Sequence, residues 1–527
     1  MSKLNDADAL KQLLALSYRL STEKNTTKLL EDILMSAKAL THADGGTIYS
    51  VTDKNELKFE TLVNDSLNLH MGGTSDKPIN FDCIPIYIDG QANKDALVAL
   101  AAATHETINI EDAYQAKEHN TSAARAMDKK TGYRTQSVLT VPLENHEGDI
   151  NGVLQLINAQ SDELVIPFDQ KNTDLVLSLA SLAAVALTNK QLILDMEILF
   201  QSLAKLIAQA IDEKSPYTGG HCRRVPELTM MLADAVNKIA LGPLSDFNLN
   251  DDEKHTLSVA GWLHDCGKIA TPEYIMDKST KLETVFDRIE LVSAKFEIMN
   301  KQFEIEALKF PDQKDEIIQK QVQLMEDKAF LERINIGGEF LPQGDVERVT
   351  QIANEYQIEK NGQLEPILTN TEVRYLQIQK GTLSDEERNV INHHIDITIL
   401  LLESLPFPKH LRNVPEYAGG HHEKMDGTGY PRGLTREQMS LPARMMAIAD
   451  IFEALSAGDR PYKEAKKLSE CMKIMGFMSL DKHIDNDLFN VFVHEKVYLQ
   501  YADKFMNEKQ IDVIDETKIP GFSPLIS

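Results

Sequence analysis

The chain has no paired cysteines. Its four cysteines, at 83, 222, 266 and 471, are scattered over 527 residues, and no two share a CxxC spacing. That fits a reducing compartment and excludes a disulfide framework or a zinc knuckle. Positive charge is short as well: 55 lysines and arginines face 81 acids, giving a formal net charge of −26 and a pI of about 5.0. Duplex nucleic acid or an anionic membrane surface would be repelled over most of such a surface, so neither is expected as the main partner. A small anionic ligand remains open, because a local cluster of metal ions and cations can override the global field. No run reaches the roughly eighteen apolar residues of a membrane span, and the first twenty residues are polar rather than signal-like. A cytoplasmic protein is expected.

The chain is too long for one core, so two or three domains are expected. Residues 8 to 40 carry leucines and isoleucines at helical spacing, with a polar break around 21–27. The period then changes. Residues 47–51 and 57–63 predict a β-hairpin about Asp53-Lys-Asn55, with further strands at 83–88, 137–143 and 152–158 and an Ala-rich helix over 94–104. Helices alternating with hairpins before a long exit helix predict an α+β domain built on an antiparallel sheet. Three segments carry a resemblance: Ala43-Asp-Gly-Gly-Thr-Ile-Tyr49, Ile108-Asn-Ile-Glu-Asp-Ala-Tyr114, and Ser137-Val-Leu-Thr-Val-Pro-Leu143 followed by Gly152-Val-Leu-Gln-Leu156. Together they resemble a GAF domain over 25–190, preceded by an N-terminal helix over 1–24. The resemblance implies a small-ligand sensor or a dimerisation module, with no readable ligand motif.

An uninterrupted helix is predicted over 174–212, free of proline and glycine and striped by residues such as Leu192, Met196, Leu199 and Leu203. A connector of this length commonly pairs with its twin, so a homodimer is expected. Residues 281–380 read as an insertion forming a helical hairpin, turned at Phe310-Pro-Asp-Gln313, whose role is not legible. The last sixty residues read as helical, with a loose tail over 506–527.

Metal-capable side chains gather in five patches. They are His221 after two glycines, His264-Asp265 at the end of an apolar run, His394 in a His-His doublet, His421-His422, and Asp450 behind Ala-Ile-Ala. Singly, each has an ordinary reading as a capping or packing residue. Their coincidence is less ordinary, since five of the fifteen histidines join two carboxylates beside apolar helices. Neutral imidazole with carboxylate suits a divalent transition metal, and a buried carboxylate needs a compensating partner. A shared aspartate is suited to bridge two ions.

These residues also carry a second resemblance. His264-Asp265 with Gly267-Lys268, and His421-His-Glu-Lys-Met-Asp-Gly-Thr-Gly-Tyr-Pro431, resemble the HD and GYP signatures of the HD-GYP family, over 200–505 apart from the insertion. The resemblance implies an all-α metallohydrolase domain that cleaves cyclic dinucleotides, chiefly cyclic di-GMP, to pGpG or GMP. It implies two or three divalent ions, iron or manganese, held by His221, His264, Asp265, His394, His421, His422 and Asp450, with Asp265 bridging and catalytic. Lys268, also catalytic, would face substrate phosphate with Arg460 and Lys463, while Gly429, Tyr430 and Pro431 would shape a loop linked in the family to diguanylate cyclase partners. Arg460 lies one residue further from Asp450 than the family pattern expects. Asp212 and Glu213 are the acids considered for a third metal. A mixed cyclic GMP-AMP substrate and a non-catalytic, nucleotide- or cyclase-binding effector stay open as alternatives.

Overall fold

A computed structural model describes residues 14–15, 18–19, 22–23, 25–162, 164–214, 220–338, 340–360, 362–458 and 465–524. The expected N-terminal helix over 1–24 lies mostly outside them, as do Arg460 and Lys463. Two units emerge, Met1–Leu199 and Phe200–Ser527.

In the first unit, β1 (Ala43–Val51), β2 (Glu56–Asn64), β3 (Leu69–Gly72), β4 (Ile108–Ile110), β5 (Val138–Glu144) and β6 (Ile150–Ser161) form an antiparallel sheet in the order β3-β2-β1-β6-β5-β4. Alternation along β1 sends Ile48 to one face and Tyr49 to the other. The Ile48 face is covered by the helix Thr26–Thr41 and by the start of the long helix, through Val176, Leu179, Ala183 and Leu187. The Tyr49 face meets the helix Leu97–Thr104. On that side the sheet and the helix Ser122–Thr131 enclose a cavity of about 530 Å³. The strand expected over 83–88 is divided into Ile84–Pro85 and Tyr87–Ile88.

The long helix runs over Gln170–Lys214, four residues earlier and two later than the expected 174–212. No proline or glycine occurs within it to interrupt the backbone bonds. It is the one helix among the described residues long and apolar enough to cross a membrane by length and composition, its most apolar 18-residue window having a mean hydropathy of 1.4. Its first turns nevertheless lie in the sheet core, and Ala204, Ala208 and Ile211 lie in the core of the second unit.

The second unit is helical around the site. His221–Lys238 packs against Asp251–Leu263 and Leu441–Ser456, and His394–Glu403 packs against the 3-10 turn Cys266–Ala270. Helices at 468–480, 486–494 and 497–505 close the core with Phe489, Phe492 and Tyr501, each fully buried and each contributing about 2 kcal/mol. Residues 506–524 are not loose. Ile519 is buried, Tyr498 donates to Glu516 at 2.7 Å, and Ser523 N–H donates to Asn490 at 2.9 Å. The insertion is more than a hairpin. Ile289–Lys309 and Lys314–Asn335 pack together, and a third helix Gln343–Glu355, a β-hairpin Gln357–Lys360/Gln363–Pro366 and a short helix Asn370–Leu376 follow. All but the β-hairpin share a separate apolar core around Phe296, Leu331 and Ile352. Polar helix surfaces and a charged hairpin masked these elements in sequence.

Candidate metal centre

Each histidine sits where an element begins or ends. Asn250 caps Asp251–Leu263 with a reciprocal Glu253 bond, and three acids in the first turn suit the helix dipole. That helix stops at Leu263, so His264 and Asp265 stand at its end with 0% and 2% exposure. His221 opens its helix after Gly220, and His394 opens another. His421 and His422 follow Val414–Gly419, and Asp450 lies inside the buried helix Leu441–Ser456, which Ser440 caps.

Folding brings all seven together. Asp265 turns its oxygens to different sides: Oδ2 is 3.2 Å from Nε2 of both His221 and His264, and Oδ1 is 3.3 Å from Nε2 of His394. Asp450 Oδ1 is 3.3 Å from His221 and 3.8 Å from His264. His394 and His422 face each other through Nε2 at 3.2 Å, with the His421 ring 4.1 Å from that of His422. Two metal-capable groups result, His221/His264/Asp265 and His394/His421/His422.

The rings are oriented from behind. The Nδ1 atoms of His264, His394 and His421 face the carbonyls of Gly261, Ile391 and Ala418 at 2.8, 2.6 and 2.6 Å. Donation there assigns the proton to Nδ1 and leaves the Nε2 lone pair facing inward. The Nε2 atoms of His221, His264 and His421 are buried and form no well-aligned hydrogen bond, as the ligand atoms of a metal ion would be. Sequence reading missed Glu453, 1% exposed, whose carboxylate meets His221 Nδ1 at 2.5 Å and Arg224 Nε at 2.6 Å. Its position three residues after Asp450 on an apolar helix was the available signal.

Charge divides the cluster. Burial lowers His221, but Glu453, Asp265 and Asp450 outweigh it and raise the imidazole well above its usual range. Burial likewise opposes His264, which Asp265 and Asp450 still raise to about 9. Burial and the His264 charge drive His421 down to about 4, and burial with His421 drives His422 lower than usual too. Burial opposes ionisation of Asp265, yet Lys268 and His264 hold it well below the carboxylate range. His221 and His264 thus sit in the negative field of Asp265, Asp450 and Glu453, the field a bound cation would also meet, while His421 and His422 are held neutral.

Lys268 reaches Asp265 Oδ2 at 2.5 Å, so in this structure its ammonium is paired with that carboxylate. The Tyr430 ring stacks on His422 at 4.8 Å, and the Tyr430–Pro431 peptide is cis. A Cβ on Gly429 would lie 2.4 Å from Lys424 N, so only glycine fits there. Buried Glu423 ties the loop down by accepting from Arg432 and Leu434 N–H at 2.7 and 2.9 Å. Asp212 is engaged with backbone N–H groups, and Glu213 is exposed.

Comparison with known proteins agrees with this geometry. A GAF-domain family model matches residues 25–187, and HD-domain models match 218–361 and 371–488. The chain carries a GAF domain followed by an HD domain. An HD domain implies divalent metal binding, and the two groups above are candidate ligands for it. Similar proteins include the 3'3'-cGAMP-specific phosphodiesterase 1 of Vibrio cholerae, 26% identical over 292 residues, which are 55% of this chain and 41% of that one. The 3'3'-cGAMP-specific phosphodiesterase 3 of the same organism is 42% identical over 96 residues, 18% of this chain and 20% of that one. A cyclic di-GMP phosphodiesterase of Thermotoga maritima is 31% identical over 135 residues, 26% and 35% of the two chains. This chain thus spans less than half the length of each relative.

Proposed function

We propose that the HD domain is of the HD-GYP type and hydrolyses a cyclic dinucleotide, cyclic di-GMP first, to pGpG or GMP. The observation that carries this reading is the inward convergence of five imidazoles and two carboxylates with orphaned Nε2 atoms. His221, His264, Asp265, His394, His421, His422 and Asp450 would hold two or three ions, iron or manganese, with Asp265 shared between the groups. When bound, such ions supply Lewis acidity towards phosphoryl oxygen and a nucleophilic water at neutral pH. The chain's own part is orientation. Asp265 and Asp450 provide charge, Glu453 and the backbone carbonyls fix the rings, and Lys268 neutralises Asp265 and is a candidate proton donor for a leaving oxygen. Arg460 and Lys463, which follow the Asp450 helix in sequence, are assigned to substrate phosphate.

The names of two relatives favour a second substrate, 3'3'-cyclic GMP-AMP. A non-catalytic effector fits less well, because no ligand position in the set is empty of a suitable side chain. Turnover of both dinucleotides by anaerobically purified protein loaded with iron or manganese tests all three readings. Hydrolysis of neither by metal-replete protein would leave only the effector reading, with a cyclase partner at the Gly429–Pro431 loop as its remaining target.

Regulation is assigned to the GAF domain. Its cavity is lined by apolar side chains such as Phe59, Leu69, Phe81 and Met127, and its described lining includes acids but no lysine or arginine. Asp128, one of those acids, is already committed to Tyr114 and Thr135. An uncharged, largely apolar ligand fits better than a nucleotide. A cytoplasmic homodimer is proposed through the long helix, where Leu192, Met196, Leu199, Leu203 and Leu206 alternate at spacings of four and three and are 48–66% exposed.

A further inference from the structure

The last turn of the long helix touches the metal centre from behind at two places. Lys214 directs its ammonium at the backbone carbonyls of Lys268, Ile269 and Thr271, at 3.2, 2.7 and 2.6 Å. These carbonyls close the 3-10 turn Cys266–Ala270, which follows directly on Asp265. An ammonium has three donors and no acceptor, so three carbonyls satisfy it completely. A cation at the end of a helical turn also meets the negative end of its dipole. Two residues earlier, the Asp212 carboxylate accepts from the N–H groups of Gly220 at 3.1 Å and Cys222 at 3.3 Å. Those groups open the helix that carries His221, whose Gly220 cap has no side chain to offer. Asp212 supplies that cap from the connecting helix.

The gripped turn is confined on its other side. Gly267 N–H donates to Thr398 Oγ1 at 2.9 Å, and a Cβ on Gly267 would lie 1.9 Å from the His394 carbonyl oxygen. Within the same turn Lys268 holds Asp265. Because the turn is locked to the helix that opens with His394, moving it shifts Asp265 and His394 together relative to His221. Releasing Asp212 lets His221 move relative to Asp265.

We propose that Asp212 and Lys214 are positioning residues, which let the helix leaving the GAF domain set the position of Asp265 and His394 relative to His221 and thereby metal affinity and turnover. The proposal rests on reading this cluster as a metal centre. Its test uses the full chain, stripped of metal, titrated with manganese and assayed with cyclic di-GMP. Lys214→Met keeps the length and removes the donors. It should weaken manganese binding about tenfold, as loss of groups behind a ligand typically does, and lower kcat with little change in KM. Lys214→Arg should recover most of both. Unchanged manganese affinity in Lys214→Met overturns the proposal, as does a lowered apoprotein Tm with metal affinity intact. Should Lys214→Met not fold, Lys214→Gln is read in the same way. Because metal titration needs no substrate, a wild-type protein that binds manganese but cleaves neither dinucleotide refutes the proposed activity while the positioning role is still judged.

Discussion

Glu453 shows how much of a metal site lies outside its ligands. Its carboxylate holds the His221 ring and the Arg224 guanidinium together, so Glu453→Gln should leave the fold intact yet weaken metal binding about 10–100-fold. A competition titration with a chelating dye measures this, and equal affinity would remove Glu453 from the centre. Asp265 presents an oxygen to each group, so Asp265→Ala should cost metal content and turnover together. Elemental analysis beside the hydrolysis assay checks it, and full turnover with bound metal would refute the assignment. The ligand types were legible because five imidazoles and two carboxylates recur beside apolar helices, a coincidence that no single patch carries. Glu453 was not, because a lone carboxylate on a helix usually faces water.

At the scale of elements, ion pairs fix the helices that frame the centre. Asp485 caps Asn486–His494 through Asp487 and Leu488 N–H and also pairs with Arg436 and Arg444. Its side chain is fully buried, so Asp485→Ala should cost about 2–4 kcal/mol, read from denaturant unfolding. Burial opposes its ionisation, but Arg436 and the Leu488 N–H outweigh this and hold it below the usual carboxylate value. A carboxylate depressed on folding stabilises above its unfolded pKa of about 3.9 and loses that contribution as pH falls through the folded value. The stability gap between wild type and Asp485→Asn should therefore shrink below about pH 4, and a gap constant into acid would contradict it. The elements around Asp485 were visible as helices. The pairing was not, since Asp485 and Arg444 are 41 residues apart.

For the whole molecule, the long helix carries the expectation with the widest reach. If its exposed stripe joins two copies, Leu192→Lys with Leu199→Lys should convert a dimer to a monomer in sedimentation equilibrium while each unit stays folded. A wild-type monomer at micromolar concentration would end that reading. Sequence alone determined the two kinds of domain, the unbroken connector and the identity of the seven metal-capable residues, because local periodicity and residue chemistry are written along the chain. Only the tertiary structure decided that Asp265 faces both groups, that Lys268 pairs with it, that the insertion has its own core, and that Asp212 and Lys214 brace the site. Those outcomes depend on side chains tens to hundreds of residues apart meeting at about 3 Å, a distance that sequence spacing does not encode.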